Sequence, residues 1–97
     1  MHAVINHLHL TKPIDDIRDS LERDGVPLLA GMPGFQGFML VKEAEDRAAA
    51  LIFWDSQEHA VNGASTFGPT WFATNIAPFL ASEQQRSLGE VVVDVRT

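Results

Sequence analysis

Residues 35–54 read FQGFMLVKEAEDRAAALIFW. Two apolar stretches, Phe35 to Lys42 and Arg47 to Trp54, flank the polar tetrapeptide Glu43 to Asp46. That is the pattern of two strands joined by a hairpin connection. In both stretches the apolar side chains fall on both parities, from Phe38 to Val41 and from Ala48 to Phe53. A strand of this kind wants cover on both faces of its sheet.

Working outward from the hairpin, His2 to Leu10 alternates, with Val4, Asn6, Leu8 and Leu10 on one parity and Ala3, Ile5, His7 and His9 on the other. It reads as a strand. Ile14, Ile17, Leu21 and Leu28 then recur at helical spacing, with Asp15 and Asp16 in the first turn, where carboxylates suit the helix dipole. Thr11 is the expected cap and Pro13 an early position needing no amide proton. Gly25 and Pro27 predict a bend and a short second turn ending at Gly31. Met32-Pro33-Gly34 is a turn.

Beyond Trp54, Ser56 is a natural N-cap for a helix through Gln57, Glu58 and His59, weakened at Gly63. Gly68-Pro69 restarts a helix with apolar positions Phe72, Ile76, Phe79 and Leu80, limited by Pro78. Ser82 to Ser87 is a polar connection, and Leu88 to Val95 is the last strand. The order is β-α-β-β-α-β, an α+β, ferredoxin-like arrangement with a four-stranded antiparallel sheet in a single domain, residues 1–97. Both helical segments lie on one face. Nothing within 97 residues is left to cover the other, so the expected solution is a homodimer with its sheets packed face to face.

Composition narrows the function. The chain carries 13 acidic and 7 basic residues, a net charge of −6, and no basic stripe. Neither nucleic acid nor an anionic membrane is an expected partner, because both are bound by clustered Lys and Arg. No apolar run is long enough to span a bilayer. No charged n-region precedes an apolar segment at the start, so the expected location is the cytoplasm. There is no Cys, which excludes thiolate chemistry and Cys-based metal sites. No Ser-His-Asp grouping, phosphate loop or paired-carboxylate motif is present, and the absence of Tyr excludes a phenol radical relay.

Asn6 is the sharpest single candidate. A carboxamide in an otherwise apolar strand costs free energy unless it is hydrogen-bonded, either to a structural partner or to an oxygenated ligand. Trp54 shares the helix-covered face, as pocket wall or as core. His59 is a candidate general base, with capping or solvent exposure as its other readings. Phe67, Trp71, Phe72 and Ile76 are expected to roof a small-molecule pocket over Asn6 and Trp54, with Gly63, Ala64 and Gly68 lending that roof freedom to move. His7 and His9 share the opposite face. No third ligand accompanies them, so no metal is expected, and they are placed at the dimer interface, near Asp94.

With these residues in view, the chain resembles the dimeric α/β-barrel superfamily, in the branch of antibiotic biosynthesis monooxygenase domains. The resemblance rests on Asn6-His7-Leu8-His9-Leu10, Gly31-Met32-Pro33-Gly34-Phe35 and Ile52-Phe53-Trp54-Asp55-Ser56 with Glu58 and His59, and runs over nearly the whole chain in order. It implies a small cytoplasmic dimer that needs no cofactor, of a kind in which several members oxidise aromatic polyketides and others degrade haem. The haem degraders carry an Asn where Asn6 stands and a helix ending like Arg23-Asp24-Gly25-Val26. Their Trp and haem-ligating His would fall near Gly63 and Ala73, neither of which can serve, so haem degradation is not expected. The polyketide oxidisers have a Trp matching Trp54, while their pocket Asn would fall near Ala50. Two functions therefore stand at this point. One is a cofactor-independent monooxygenase of an aromatic small molecule, with Asn6, Trp54 and His59 as catalytic candidates. The other is a non-catalytic small-molecule-binding or stress-related dimer that uses the same pocket.

Overall fold

A computed structural model describes all residues, Met1–Thr97. Four strands, β1 (His2–His9), β2 (Phe35–Ala44), β3 (Arg47–Trp54) and β4 (Gln85–Glu90), form one antiparallel sheet in the order β2-β3-β1-β4. The hairpin of residues 35–54 pairs as read, with Met39 opposite Leu51 and Leu40 opposite Ala50. Its strands close on a turn at Glu45 and Asp46, tighter than the expected connection. The fold is the α+β, ferredoxin-like βαββαβ arrangement, and no helix is long and apolar enough to cross a membrane.

The first helical segment changes character at Gly25 as expected, and its short second part ends at the Gly31 cap, but the chain stays helical throughout. Helix α1 (Asp15–Ser20) passes through a π turn (Leu21–Gly25) into α2 (Val26–Ala30) with right-handed backbone angles throughout. The Val26 amide donates to the Leu21 carbonyl, five residues back. That wider turn immediately precedes Pro27, which has no amide proton and would crowd an ordinary helical turn in the middle of a helix. The second segment repeats the device beside Pro69. Helix α3 (Gln57–Phe67) runs without a break at Gly63 into a π turn (Gly68–Phe72), α4 (Ala73–Asn75) and a final 3₁₀ turn at Ala77–Phe79.

Ser56 caps α3 as expected, its Oγ accepting from the His59 amide at 3.2 Å. Thr11 caps nothing. The residue before α1 is Ile14, itself helical, and the Thr11 hydroxyl donates to the Phe79 carbonyl at 3.2 Å, tying the end of one helical segment to the start of the other. The last strand also differs from expectation. Residues 85–90 pair with β1, and the valine-rich 91–95 lie outside the sheet. Val92, Val93 and Val95 are 81%, 78% and 86% exposed. Ladder hydrogen bonds are made by backbone and do not require apolar side chains, so chain length rather than hydropathy places this strand.

The helices cover one face of the sheet. Leu8, Leu10, Ala48, Ile14, Ile17 and Ile76 make one cluster of that core. Val4, Ile52, Trp54, Leu29, Ala60 and Phe67 make the other. On the opposite face, Met39 and Val41 are about half exposed and Ile5, Leu51 and Phe53 only partly covered.

Candidate functional site

Between the helices and the sheet lies a small, mostly apolar pocket with an internal volume of about 50 Å³. Its floor is built by strand parity. Val4, Asn6 and Leu8 of β1 point to the same side as Ala50, Ile52 and Trp54 of β3, and Asn6 stands opposite Ala50. Phe67, Phe72 and Ile76 form the roof, with Gly63, Ala64 and Gly68 beside them. Three of the roof and wall contributors, Leu21, Gly68 and Phe72, sit in the π turns.

Three polar atoms on this wall are buried without a hydrogen-bond partner: Asn6 Oδ1, Trp54 Nε1 and Gln84 Oε1. An orphaned buried polar group costs about 1–3 kcal/mol, and native interiors carry few of them. Three on one pocket wall are accounted for if a ligand satisfies them.

Trp54 is 1% exposed. Its ring meets Phe35 edge to face, with centroids 5.8 Å apart and planes at 84°, and its far edge lies against Gly63, where no Cβ would fit. The indole is thus a fixed wall.

Trp71, expected in the roof, does not line the pocket. It stacks on Phe67 with centroids 5.7 Å apart, and a methyl at Gly25 would come within 3.0 Å of its Cζ3. It joins the two helical segments and backs Phe67 rather than facing a ligand. His59 lies outside the pocket as well. Its Nδ1 is 2.6 Å from Asp55 Oδ1, beside Gly34, whose φ of 82° makes the left-handed turn that only glycine adopts easily. Hydrogen bonding from His59 holds the Asp55 carboxyl below its ordinary range, against the opposing effect of desolvation. The pair fixes the end of β3 and does not reach the cavity. His9 pairs with Asp46 at 3.1 Å, while Asp94 holds Arg96 at 3.0 Å, so within one chain His9 and Asp94 have other partners.

Two residues that sequence reasoning missed are Gln84 and Arg86, both on the pocket wall. They fall in the stretch read as a polar connection. The signal for them was their alternation with Leu88, the same period of two that identified the other strands.

This lining offers no ligand for a haem iron. It contains no His, Met, Cys, Tyr or Lys, so the iron would find no side chain to ligate it.

No family model and no curated protein matches the chain. Solved structures do. The heme-degrader MhuD of Mycobacterium tuberculosis is 24% identical with a TM-score of 0.66, over 99% of this chain and 100% of that one. The cofactor-independent oxygenase SnoaB of Streptomyces nogalater is 14% identical with a TM-score of 0.78, over 99% and 97%. A monooxygenase from the gene ActVA-Orf6 of Streptomyces coelicolor, seen with the ligand nanaomycin D, is 10% identical with a TM-score of 0.78, over 99% and 91%. In architecture, the chain has the fold of the antibiotic biosynthesis monooxygenases.

Proposed function

We propose that the protein is a cofactor-independent monooxygenase of a planar, electron-rich aromatic small molecule, bound between the sheet and the helices. The observation that carries this reading is the unpartnered Asn6 Oδ1 on a mostly apolar, aromatic wall. Such pockets bind by apolar contact and use a few polar groups to set orientation. Asn6 Oδ1 and Gln84 Oε1 would accept from the substrate's hydroxyl groups, and Phe38, Trp54 and Phe72 would hold its ring. The substrate itself supplies the electrons. An anthrone methylene and dioxygen give a quinone carbonyl and one water, so the atoms balance with no further reductant. The protein's part is to orient the ring and exclude bulk water. The oxygenases SnoaB and ActVA-Orf6, which share the fold, support the reading.

The same reading takes the active form as a homodimer of cytoplasmic protein. What supports the dimer is the uncovered sheet face with Met39 and Val41, together with the exposed Val92, Val93 and Val95. Obligate interfaces are apolar in this way.

The test is oxygen uptake and quinone absorbance on incubating the protein with hydroxylated anthrones in air. Uptake above the spontaneous rate, lost in Asn6→Ala, is expected. One observation favours a second reading, a non-catalytic carrier: no carboxylate or imidazole lines the pocket to move a proton. Binding of the anthrone without any acceleration of oxygen uptake would establish that reading and overturn the first.

A further inference from the structure

Arg86 is the one charged side chain on the pocket wall, and no acidic residue shares that wall. In a chain of net charge −6, this is not the background. Four of the seven basic residues, Arg18, Arg23, Lys42 and Arg96, hold a carboxylate. Lys12 lies over the ring of Phe79. Arg47 shares its hollow with Glu43 and Glu83. Arg86 makes no ion pair, shares its pocket wall with no carboxylate, and stands at the rim of an aromatic pocket. Across the β1–β4 ladder it is directly opposite Asn6, a position from which paired side chains reach a common target. A guanidinium presents a planar fork of donors matched to an anionic oxygen.

We propose that the pocket takes its aromatic ligand as an anion, a planar arene bearing an acidic oxygen, and that Arg86 is the specificity-determining residue that selects it. This rests on the reading of the pocket as an aromatic-ligand site. Asn6 Oδ1 and Gln84 Oε1 accept from hydroxyl groups of the ring, while Arg86 donates to the charged oxygen. The proton is shed to solvent at the open mouth before or during binding.

The experiment compares acids with their methylated, neutral counterparts. The probes are 2-hydroxy-1,4-naphthoquinone against 2-methoxy-1,4-naphthoquinone for an enolate, and 1-hydroxy-2-naphthoate against its methyl ester for a carboxylate. Dissociation constants come from tryptophan quenching and calorimetry on wild type, Arg86→Ala and Arg86→Lys. Arg86 is exposed on an edge strand, so an unchanged melting temperature in both variants checks that the fold is retained. The expected result is that wild type prefers at least one anion over its ether or ester by about tenfold, as a charged hydrogen bond gives. Arg86→Ala should lose that preference, Arg86→Lys should keep part of it, and added salt should weaken it. Which pair shows the preference tells enolate from carboxylate. Equal affinity for anion and neutral form, or a preference that survives Arg86→Ala, overturns the proposal and leaves the aromatic site standing. Binding of none of the four probes overturns both.

Discussion

The far edge of the Trp54 indole occupies the space that a Cβ on Gly63 would need. Helix α3 can therefore approach β3 only because position 63 has no side chain. The residue that weakens the helix on paper is the one that lets it dock. Gly63→Ala should push α3 from the sheet and destabilise the protein by about 1–3 kcal/mol, the usual cost of overpacking a core. The gain in helix propensity, up to about 1 kcal/mol, would offset only part of this. Thermal or denaturant unfolding reads the difference, and a Gly63→Ala protein more stable than wild type would contradict the packing.

Asn6 should separate stability from function. Its Oδ1 is buried without a partner, so Asn6→Leu removes an uncompensated polar group. Stability should hold or rise by up to about 1 kcal/mol, while affinity for an aromatic phenol falls by about 1–2 kcal/mol. A residue with a purely structural hydrogen bond would do the reverse. Urea unfolding and ligand titration on the same variant distinguish the two.

The Asp55–His59 pair predicts a pH effect without an effect on binding. The folded-state pKa of Asp55 is depressed, first by the hydrogen bond from His59. A depressed carboxyl contributes stability that is present above its unfolded pKa and is lost as pH falls through its folded value. The stability gap between wild type and Asp55→Asn should therefore hold at neutral pH and close below about pH 4. Ligand affinity of His59→Gln should match wild type, because His59 lies outside the pocket. A large loss of affinity there would return His59 to the site.

Assembly is tested on the uncovered face. Met39 and Leu51 are cross-strand neighbours there. Light scattering should show a dimer for wild type, and Leu51→Asp should give a monomer, because a charge inserted into an apolar interface loses its hydration without a partner. A wild-type monomer at micromolar concentration would remove the second subunit from the argument.

Haem should not be turned over. With no ligating side chain on the pocket wall, protein mixed with haem and an electron donor should leave the Soret band unchanged beyond the rate in buffer. Protein-dependent loss of the band with release of iron would place a ligand where the structure shows none.

Much of the fold was legible from local pattern. The run from Arg47 to Trp54 is bounded as read, Ser56 caps α3, and alternation by two put Asn6, Ile52 and Trp54 on one face. Those features depend on a residue and its near neighbours, so the chain carries them by itself. Three others do not. Whether Trp71 turns to the ligand or to Gly25 depends on how two helical segments meet, which no periodicity encodes. His59 could have reached the pocket until the turn at Gly34 placed it on Asp55. Gln84 and Arg86 became part of the site because β1 pairs with the polar 85–90 and not with the valines beyond. Strand pairing is made by backbone groups between distant segments, and the hydropathy of one segment does not say where its partner will take hold. Composition and period set the architecture and one wall of the pocket, and only the closed sheet brought a cation to its rim.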